Sequence, residues 1–389
     1  MALPNYPKLQ HRFLTSIDDV NADQWNAVCG NDYPFLRYEF FAALEKSQST
    51  NKTTGWQPYH LIVEDKAHKL LAALPLFIKH HSYGEYVFDW AWADAYHRYG
   101  QEYYPKLLNA IPFTPATGPR WGIDKAIDSD DFQNDLFAIV EQEALRLQLS
   151  SSHWLFTNTS CCASLTQQDY MQRVGCQYHW LNKGYKNFDH FLESFTSRKR
   201  KNLNKERRKV SEQNIQLLAK EGAEITEEEW QAFYLFYHMT YFKRSGRQGY
   251  LSDSFFPLLA NSLPQHLMMV QAFKGDEMIA AALYFKDSDT LYGRYWGCKE
   301  EYDQLHFEAC YYQGIEYAIR HQLKRFDPGA QGEHKIQRGF TPIKTYSYHW
   351  IANDEFRDGI AHFLQSESKQ MEHYIKAASE RLPFKTPDQ

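Results

Sequence analysis

The sequence predicts an α/β protein that consists of two tandem copies of one fold, each with a mixed sheet. Three observations predict this class. The chain has 389 residues, and domains of roughly 100–200 residues make two domains the natural division. Apolar segments of the first half recur in the same order in the second half. Within each half, short apolar runs bounded by polar turns alternate with longer segments of helical periodicity.

The composition is that of a folded globular protein. Hydrophobic residues make up 43% of the chain and charged residues 23%, which excludes a disordered or fibrous protein. No apolar run reaches the roughly 18–20 residues of a membrane-spanning helix. The first residues also lack the basic and then apolar order of a signal peptide. We therefore expect a cytoplasmic protein without membrane insertion.

The six cysteines are scattered without the spacing of a disulfide framework, and we expect them to be reduced thiols. Cys161, Cys162, Cys176 and His179 come nearest to a metal-binding pattern. Only the spacing of Cys176 and His179 fits a pair of zinc ligands. The sequence therefore predicts no metal site.

The internal repeat decides the predicted architecture. Matching residues of the two halves lie 206–208 positions apart, as Ala72 does from Ala280 and Trp90 from Trp296. The offset predicts domains at 1–187 and 188–389, related by internal duplication. The repeated blocks are HLIV (60–63), LLAALPLF (70–77), EYVFDW (85–90) and YYPKLLNAI (103–111), then HLMMV (266–270), MIAAALYF (278–285), LYGRYW (291–296) and YYQGIEYAI (311–319).

Each copy is predicted to contain two helices, a three-stranded antiparallel meander and a further helix. Polar turns at 63–66 and 273–276 separate apolar runs, and Thr226 with Glu229 forms a capping-box pattern. Further strands are predicted at 153–158, 176–182, 325–329 and 345–351. Helices are predicted near 21–29, 36–46, 103–111, 132–149, 165–174, 227–243, 254–262, 311–319 and 355–378.

Charge is concentrated in one segment of the chain. The net charge is −5, yet RKRKNLNKERRK (198–209) has eight Lys or Arg residues against the single Glu206. Such a segment is either a solvated helix face or a surface that binds nucleic-acid phosphates, for example those of a tRNA.

Five blocks that span most of the chain suggest a family. They are FLRYEFFAALEKS (35–47), FDWAWADAYHRYGQEYYPKLLNAIPFTPATGPR (88–120), SRKRKNLNKERRKV (197–210), LHFEACYYQGIEYAI (305–319) and RFDPGAQGEHKIQRGFTPIKTYSYHW (325–350). With the doubled order of elements, they resemble the FemABX peptidyltransferases. They are more closely similar to the FemAB-like family of N-acyltransferases and peptidoglycan biosynthesis/recognition proteins. This resemblance implies two tandem GNAT-like domains.

The resemblance also implies a chemistry in which an acceptor amine attacks an activated acyl group directly. Such a reaction needs a base, a donor to the developing oxyanion and good alignment, but no covalent nucleophile. We expect no tightly bound cofactor, and acyl-CoA or aminoacyl-tRNA as the co-substrate. Arg294 and Gly297 match the GNAT pyrophosphate loop and are the expected cofactor-binding residues, although Lys299 replaces its last small residue.

The segment GAQGEHKIQR (329–338) is the most informative candidate for catalysis. Its glycines allow close approach of a ligand to the backbone, and charged side chains crowd the short helix that follows. We expect His334 to act as a general base or acid that titrates near neutrality, with Lys335 and Arg338 binding substrate. Glu308, at a helix start, is the second catalytic candidate. A buried structural histidine and a helix-capping carboxylate are the alternative interpretations.

Other substrate-binding candidates lie elsewhere in the chain. The segment RKNL (200–203) resembles a FemABX motif whose arginine binds a nucleotide-sugar diphosphate, which makes Arg200 the expected phosphate ligand. In the first half, Asp94, Tyr96 and Arg120 are expected to line the acceptor cleft.

These observations predict an acyltransferase or aminoacyltransferase. Its substrate is expected to be an amine of a phosphorylated cell-envelope precursor or of a small metabolite. Two alternatives stay open at this point: a non-catalytic protein that recognises envelope or peptide ligands, and a tRNA-binding module. A pure binder has no need of a titrating histidine beside glycines, so the segment 329–338 discriminates between enzyme and binder.

Overall fold

The computed structural model describes residues 3, 5–168, 170–246, 248–330 and 332–385, and these residues form two compact units. Unit 1 comprises Met1–Gly175 and Lys344–His373, and unit 2 comprises Cys176–Ile343 and Tyr374–Gln389. The predicted α/β class with mixed sheets is confirmed. The domain boundary at 187/188, which the sequence repeat predicts, stays a prediction.

The strands of unit 1 form two groups. Four antiparallel strands have the order β1-β3-β4-β7, and a second group has the order β2-β5-β6-β8-β15, in which β6 and β8 are parallel. The core between strands and helices contains Leu61, Leu107, Phe137 and Trp154. The strands are β1 Gln10–Leu14, β2 Trp56–Pro58, β3 His60–Glu64, β4 Leu70–Leu74, β5 Phe77–Lys79, β6 Lys106–Asn109, β7 Gly122–Ile123, β8 Ser151–Leu155, β9 Met171–Leu181, whose last residues belong to unit 2, and β15 Thr341–Ile351.

The helices of unit 1 follow the predicted order, apart from one addition, α3, and the absence of the helix predicted at 103–111. Side-chain caps explain where several begin: Asn21 accepts the N–H of Gln24, and Ser129 accepts the N–H of Phe132. The helices are α1 Ala22–Cys29, α2 Tyr38–Lys46, α3 Trp90–Arg98, α4 Asp130–Arg146 and α5 Thr159–Gln167. The C-terminal helix α12, Asp354–Ser379, begins in unit 1 and ends in unit 2.

The strands of unit 2 have the order β10-β11-β12-β13-β14-β9. All neighbours are antiparallel except β13 and β14. Trp180, Tyr284, Tyr312 and Phe326 lie in the core of this unit. The strands are β10 Ile215–Glu221, β11 Leu267–Lys274, β12 Glu277–Lys286, β13 Thr290–Cys298 and β14 Arg325–Asp327.

The predicted basic helix and the predicted capping box both occur in unit 2. Helix α7 contains the basic segment, and the Thr226 and Glu229 side chains cap each other's backbone N–H at the start of α8. A π-helix, Glu308–Tyr312, lies between α10 and α11. The helices are α6 Phe188–Glu193, α7 Ser197–Ser211, α8 Glu227–Ser245, α9 Phe255–Ser262, α10 Leu305–Phe307 and α11 Gln313–Arg320.

Two elements of the predicted first copy are wrong. The segment 85–90 is not a strand, because Glu85 and Asp89 turn inward and form buried ion pairs with Lys106. The segment 103–111 is not a helix, since it contains β6, whose four residues are all buried beside the parallel strand β8. Continuous burial is typical of a parallel strand and removes the alternation that would have revealed it.

The correspondence between the units is therefore clearer in the order of elements than in the sequence offset. In each unit two parallel strands flank a helical segment: α4 lies between β6 and β8, and the helices at 305–320 lie between β13 and β14. By this order the counterpart of the helix at 311–319 is α4, not the segment 103–111.

Candidate active site

The candidate site lies where β13 and β14 separate in unit 2. The two strands pair only from Thr290 to Tyr292, while β13 continues to Cys298. On the other side of β13, Leu283 faces Tyr295 and Tyr284 faces Gly293, so that the residue between them forms a β-bulge. The bulged residue is Arg294. The separation leaves one edge of β13 without a strand partner beyond Tyr292 among the described residues.

This gap opens into a cavity of about 550 Å³. Its walls come from the second half of β12, the middle of β13, the helical segment after β13, the loop and 3-10 helix after β14, and the last turn of α8. The lining residues are Thr240, Tyr241, Arg244, Ser245, Ala282, Leu283, Tyr284, Gly293, Arg294, Tyr295, Trp296, His306, Cys310, Tyr311, Pro328, Ala330, Gly332, His334 and Lys335. Three of the predicted site residues, His334, Lys335 and Arg294, therefore line one cavity.

His334 lies on a 3-10 helix, Glu333–Arg338, and its Nε2 atom is 2.9 Å from the Tyr311 hydroxyl oxygen. Gly332 has a φ of +104°, and a Cβ there would come within 2.4 Å of the His334 ring, so only glycine fits. Partial burial, together with the Arg338 and Lys335 charges, lowers the pKa of His334 to about 4. The expectation that His334 titrates near neutrality is therefore wrong for the free protein, in which the imidazole is neutral at pH 7.

Lys335 and Arg294 are the buried cations of the cavity. The Lys335 ammonium donates to the Gly329 carbonyl at 2.8 Å and, over a longer distance of 3.4 Å, to the carbonyls of Pro328 and Ala330, and burial lowers its pKa to about 8. The Arg294 guanidinium pairs with the buried Asp327 carboxylate at 2.9 Å. Although Asp327 is desolvated, the Arg294 charge holds the pKa of that carboxyl well below its usual value.

Arg338 and Glu308 stabilise the wall of the cavity rather than line it. The Arg338 guanidinium donates to the Tyr312 hydroxyl, to the His334 carbonyl and to Glu206, and it stacks 3.5 Å from the centre of the Phe307 ring. The Glu308 carboxylate accepts two hydrogen bonds from Arg207, at 2.8 and 3.0 Å, and a third from Gln313. Its oxygens are thus occupied by neighbouring side chains.

The segment expected to bind pyrophosphate, Arg294 to Lys299, does not have the surroundings of a phosphate site. Gly297 packs against α8, where a Cβ would come within 2.2–2.3 Å of the backbone of Phe236 and Tyr237. Lys299 pairs with Glu277. The loop that follows contributes three carboxylates, Glu300, Glu301 and Asp303, to a neighbouring cavity.

That second cavity measures about 790 Å³ and shares part of its lining with the first. Thr240, Arg244, Trp296 and His306 line both cavities. Burial and nearby cations, with Arg244 first among the charges, lower the pKa of His306 to about 3. The two cavities therefore meet at a neutral imidazole and an arginine.

The remaining predicted site residues lie away from this cavity. Arg200 is half-buried on α7, and its guanidinium has no hydrogen bond or ion pair among the described residues. In unit 1, Asp94 is exposed on α3, and Tyr96 is buried and stacked on Phe356. Arg120 is fully buried and donates to the carbonyls of Leu155, Pro119 and Ala116, which gives its guanidinium a structural role.

The structure adds site residues that the sequence analysis did not select: Arg244, His306, Tyr311 and Asp327. A signal existed for Asp327, because a carboxylate at the last position of a strand, before Pro-Gly, lies where sites commonly form. Tyr311 appeared only as a member of a repeated block. Arg244 has no local motif, and only tertiary packing brings it to the cavity.

The described residues contain no cluster of three His, Cys, Asp or Glu side chains that could hold a metal ion, and all six cysteines are free. Among the helices that the structure describes, none is both long enough and apolar enough to cross a bilayer.

Comparison with known proteins agrees with the fold. The family model FemAB-like, described as peptidoglycan biosynthesis/recognition, matches residues 16–386. No curated protein matches the sequence. Among solved structures, FemX aligns over 90% of this chain and 100% of its own, with 12% identity and a TM-score of 0.50.

Two other solved structures also align over most of this chain. A conserved protein of unknown function from Bacteroides thetaiotaomicron covers 87% of this chain and 99% of its own, with 12% identity and a TM-score of 0.51. A tandem GNAT protein from the clavulanic acid biosynthesis pathway covers 89% and 99%, with 10% identity and a TM-score of 0.45. The predicted tandem GNAT-like fold is confirmed.

Proposed function

Because this chain belongs to the FemAB-like family, we propose that it transfers an activated acyl or aminoacyl group to an amine of a cell-envelope precursor. The observation that carries the proposal is the cavity where β13 and β14 separate, with the neutral imidazole of His334 beside the buried ammonium of Lys335. A proton acceptor and a hydrogen-bond donor to the oxyanion in one cleft are two of the features that direct acyl transfer needs, and the buried ammonium can be that donor.

In the proposed reaction the acceptor nitrogen attacks the acyl carbonyl carbon. The new C–N bond forms as the carbonyl π electrons move to oxygen, and the bond to the leaving group then breaks as the carbonyl re-forms. The Lys335 ammonium and N–H groups on the unpaired edge of β13 would stabilise the intermediate oxyanion. The nitrogen's proton passes to His334, and the Tyr311 hydroxyl orients that ring.

The low pKa of His334 suits this task only in part. It keeps the imidazole unprotonated, and so able to accept a proton, throughout the physiological range. A base with a pKa of about 4 is nevertheless weak, and it serves best after the attack, because the N–H of the cationic tetrahedral adduct is far more acidic than that of the neutral amine. An anionic substrate group nearby would raise this pKa by offsetting Arg338 and Lys335.

The charges near the cavity indicate which activated donor the site can bind. Acyl-CoA is the donor that the GNAT resemblance implies, but the loop after β13 offers carboxylates where its pyrophosphate would bind. Like charges disfavour that placement. We therefore include donors other than acyl-CoA, aminoacyl esters among them, in the proposal.

The test is a transfer assay read by mass spectrometry. Purified protein is incubated with acetyl-CoA or a mixture of aminoacyl-tRNAs and with a peptidoglycan precursor that carries a free amine. We expect a mass gain of one acyl or aminoacyl group on the precursor. Lys335→Met should abolish it, whereas Lys344→Met, which removes an exposed lysine paired with Glu372, should not. Binding of the precursor without any mass gain would instead indicate a recognition protein.

A further inference from the structure

The junction of the two cavities in unit 2 has a feature that the proposed reaction does not use. Arg244 lies on the last turn of α8, which ends at Ser245 and is followed by Gly246 with a φ of +66°. It is exposed, and it lines both cavities. Its guanidinium makes no hydrogen bond or ion pair with any residue that the structure describes.

Each carboxylate of the second cavity has a hydrogen-bond partner other than Arg244. Glu301 accepts the Lys243 ammonium at 2.6 Å, and that contact is the main reason why its pKa is lowered. Asp303 accepts the Lys209 ammonium at 2.7 Å. Glu300 accepts the Tyr302 hydroxyl at 2.5 Å. Glu300 therefore has a neutral partner, and the Arg244 charge also acts on Glu301 at a distance, but Arg244 itself forms no ion pair with any residue that the structure describes.

The two cavities differ in the net charge of the residues that line them. The second cavity has three cations and three carboxylates on its walls. The first cavity has three cations, Arg244, Arg294 and Lys335, and no carboxylate among its lining residues. The Asp327 carboxylate, which does not line the cavity, neutralises the Arg294 charge, and the two histidines are neutral. An excess of positive charge in a partly enclosed site favours an anionic ligand.

We infer that the first cavity binds an oxyanion of the substrate, a carboxylate or a phosphate, through the Arg244 guanidinium at its mouth, and that the charge of the buried Lys335 ammonium favours the same ligand from a distance. The inference rests on the proposed function in taking the ligand to be a substrate of the same site. A planar guanidinium suits either oxyanion, because both present two oxygens to its parallel N–H groups.

A bound oxyanion would also raise the pKa values of the two histidines that line the cavity. Arg244 is the first of the cations that lower the pKa of His306, after burial. Neutralising that guanidinium would raise the pKa of His306, and neutralising Lys335 would raise that of His334. Substrate binding would in this way prepare the proton acceptor for the reaction.

The experiment measures binding rather than turnover. Isothermal titration calorimetry is performed on the full chain with three probes: N-acetylglycine, its neutral analogue N-acetylglycinamide, and inorganic phosphate. NMR signals of the His306 and His334 rings are followed in parallel. We expect one of the two anions, but not the amide, to bind and to move both imidazole pKa values upward.

The variants are Arg244→Gln and, as the matched control, Lys243→Gln on the same helical turn. Arg244→Gln should weaken anion binding about tenfold or more, the usual effect of losing a charge-assisted pair. Lys243→Gln should change it less than about twofold, because this lysine is already paired with Glu301. Both side chains are exposed, and the melting temperature checks that both variants fold.

Each outcome has a defined meaning. Binding of N-acetylglycine alone identifies a carboxylate site, binding of phosphate alone a phosphate site, and binding of both a site for either oxyanion. Binding of N-acetylglycinamide as tightly as N-acetylglycine overturns the inference. Equal anion binding by wild type and Arg244→Gln, or no anion binding by the wild type, overturns the inference. Anion binding by a protein that transfers no acyl group would leave the inference standing and remove the proposed function.

Discussion

The Arg207 guanidinium and the Glu308 carboxylate form a two-point ion pair, with N···O distances of 2.8 and 3.0 Å, that joins the basic helix α7 to the helix after β13. The Glu308 side chain is only 4% exposed, so the Arg207 guanidinium takes the place of the water that this carboxylate loses on burial. Part of the basic segment is therefore built into the fold, and the two residues stabilise the wall behind the candidate site.

This pair predicts a large stability effect from a residue outside the cavity. Arg207→Ala leaves a buried carboxylate unpaired, and we expect it to lower the free energy of unfolding by about 3–5 kcal/mol. Arg208→Ala, the neighbouring exposed residue paired with Glu212, should cost less than about 1 kcal/mol. Urea denaturation measures both. A small effect of Arg207→Ala would mean that Glu308 does not depend on this partner.

Gly297 provides a second prediction, which separates packing from cofactor binding. A Cβ at this position meets the backbone of α8, so Gly297→Ala should destabilise the protein by about 1–3 kcal/mol. Gly359→Ala is the control, because nothing lies within 4 Å of a Cβ in that helix, and it should stabilise the protein by about 0.5–1 kcal/mol. Thermal denaturation compares them. Unchanged stability of Gly297→Ala with loss of CoA binding would restore the cofactor role.

The sequence predicted the elements whose signals are local. The capping box of Thr226 and Glu229, the basic helix and the hairpin of β11 and β12 all lie where the pattern put them, because caps, charge runs and polar turns act over a few residues. The segment around Glu85 and Asp89 was missed because its ion pairs with Lys106 bridge about twenty positions of the chain, and such pairs leave no periodicity.

The candidate site was predictable to a similar extent. Glycines and charges in one short segment selected His334 and Lys335, and both line the cavity. The environment that sets the His334 pKa was not predictable, since burial and the positions of the Arg338 and Lys335 charges follow from packing. Arg120 shows the opposite error: an arginine beside a Pro/Gly loop suggested substrate binding, but backbone carbonyls satisfy its guanidinium.

Acid should destabilise unit 2 through His179, a fully buried imidazole 3.1 Å from the Gln177 side-chain oxygen. Burial lowers its pKa to about 4, below the usual 6.5. The unfolded chain therefore binds the proton more readily, and stability falls as the pH decreases from about 6.5 to about 4, by up to about 3 kcal/mol.

Urea denaturation as a function of pH measures this loss. His179→Gln should show a shallower dependence between pH 6.5 and 4 than the wild type, whatever its stability at pH 7. His362→Gln, which alters an exposed histidine of α12, should keep the wild-type dependence. A wild-type slope in His179→Gln would assign the acid sensitivity to other groups.

The phosphate-binding role predicted for Arg200 leads to a test of the basic helix. Its guanidinium has no hydrogen bond or ion pair among the residues described, in contrast to Arg207 on the same helix. Arg200→Gln should weaken binding of a nucleotide diphosphate. It should also reduce the magnitude of the slope of log affinity against log salt concentration by about 1, the contribution of one phosphate contact. Arg320→Gln, an exposed arginine on α11, is the control. An unchanged salt slope would indicate that Arg200 lies on a solvated helix face and binds no phosphate.

The last prediction concerns His334 and the proposed transfer. His334→Ala removes the proton acceptor, and we expect turnover to fall by about 10²–10⁴-fold while substrate binding stays nearly intact. Because the pKa of His334 in the free protein is about 4, the acidic limb of kcat/KM against pH should lie near that value rather than near neutrality. With an anionic substrate bound, the limb of kcat should lie at higher pH. His362→Ala, on the exposed side of α12, should leave both profiles unchanged. Turnover equal to wild type in His334→Ala would exclude the residue from proton transfer. A fall in turnover with an unmoved acidic limb would give it a positioning role beside Tyr311 instead.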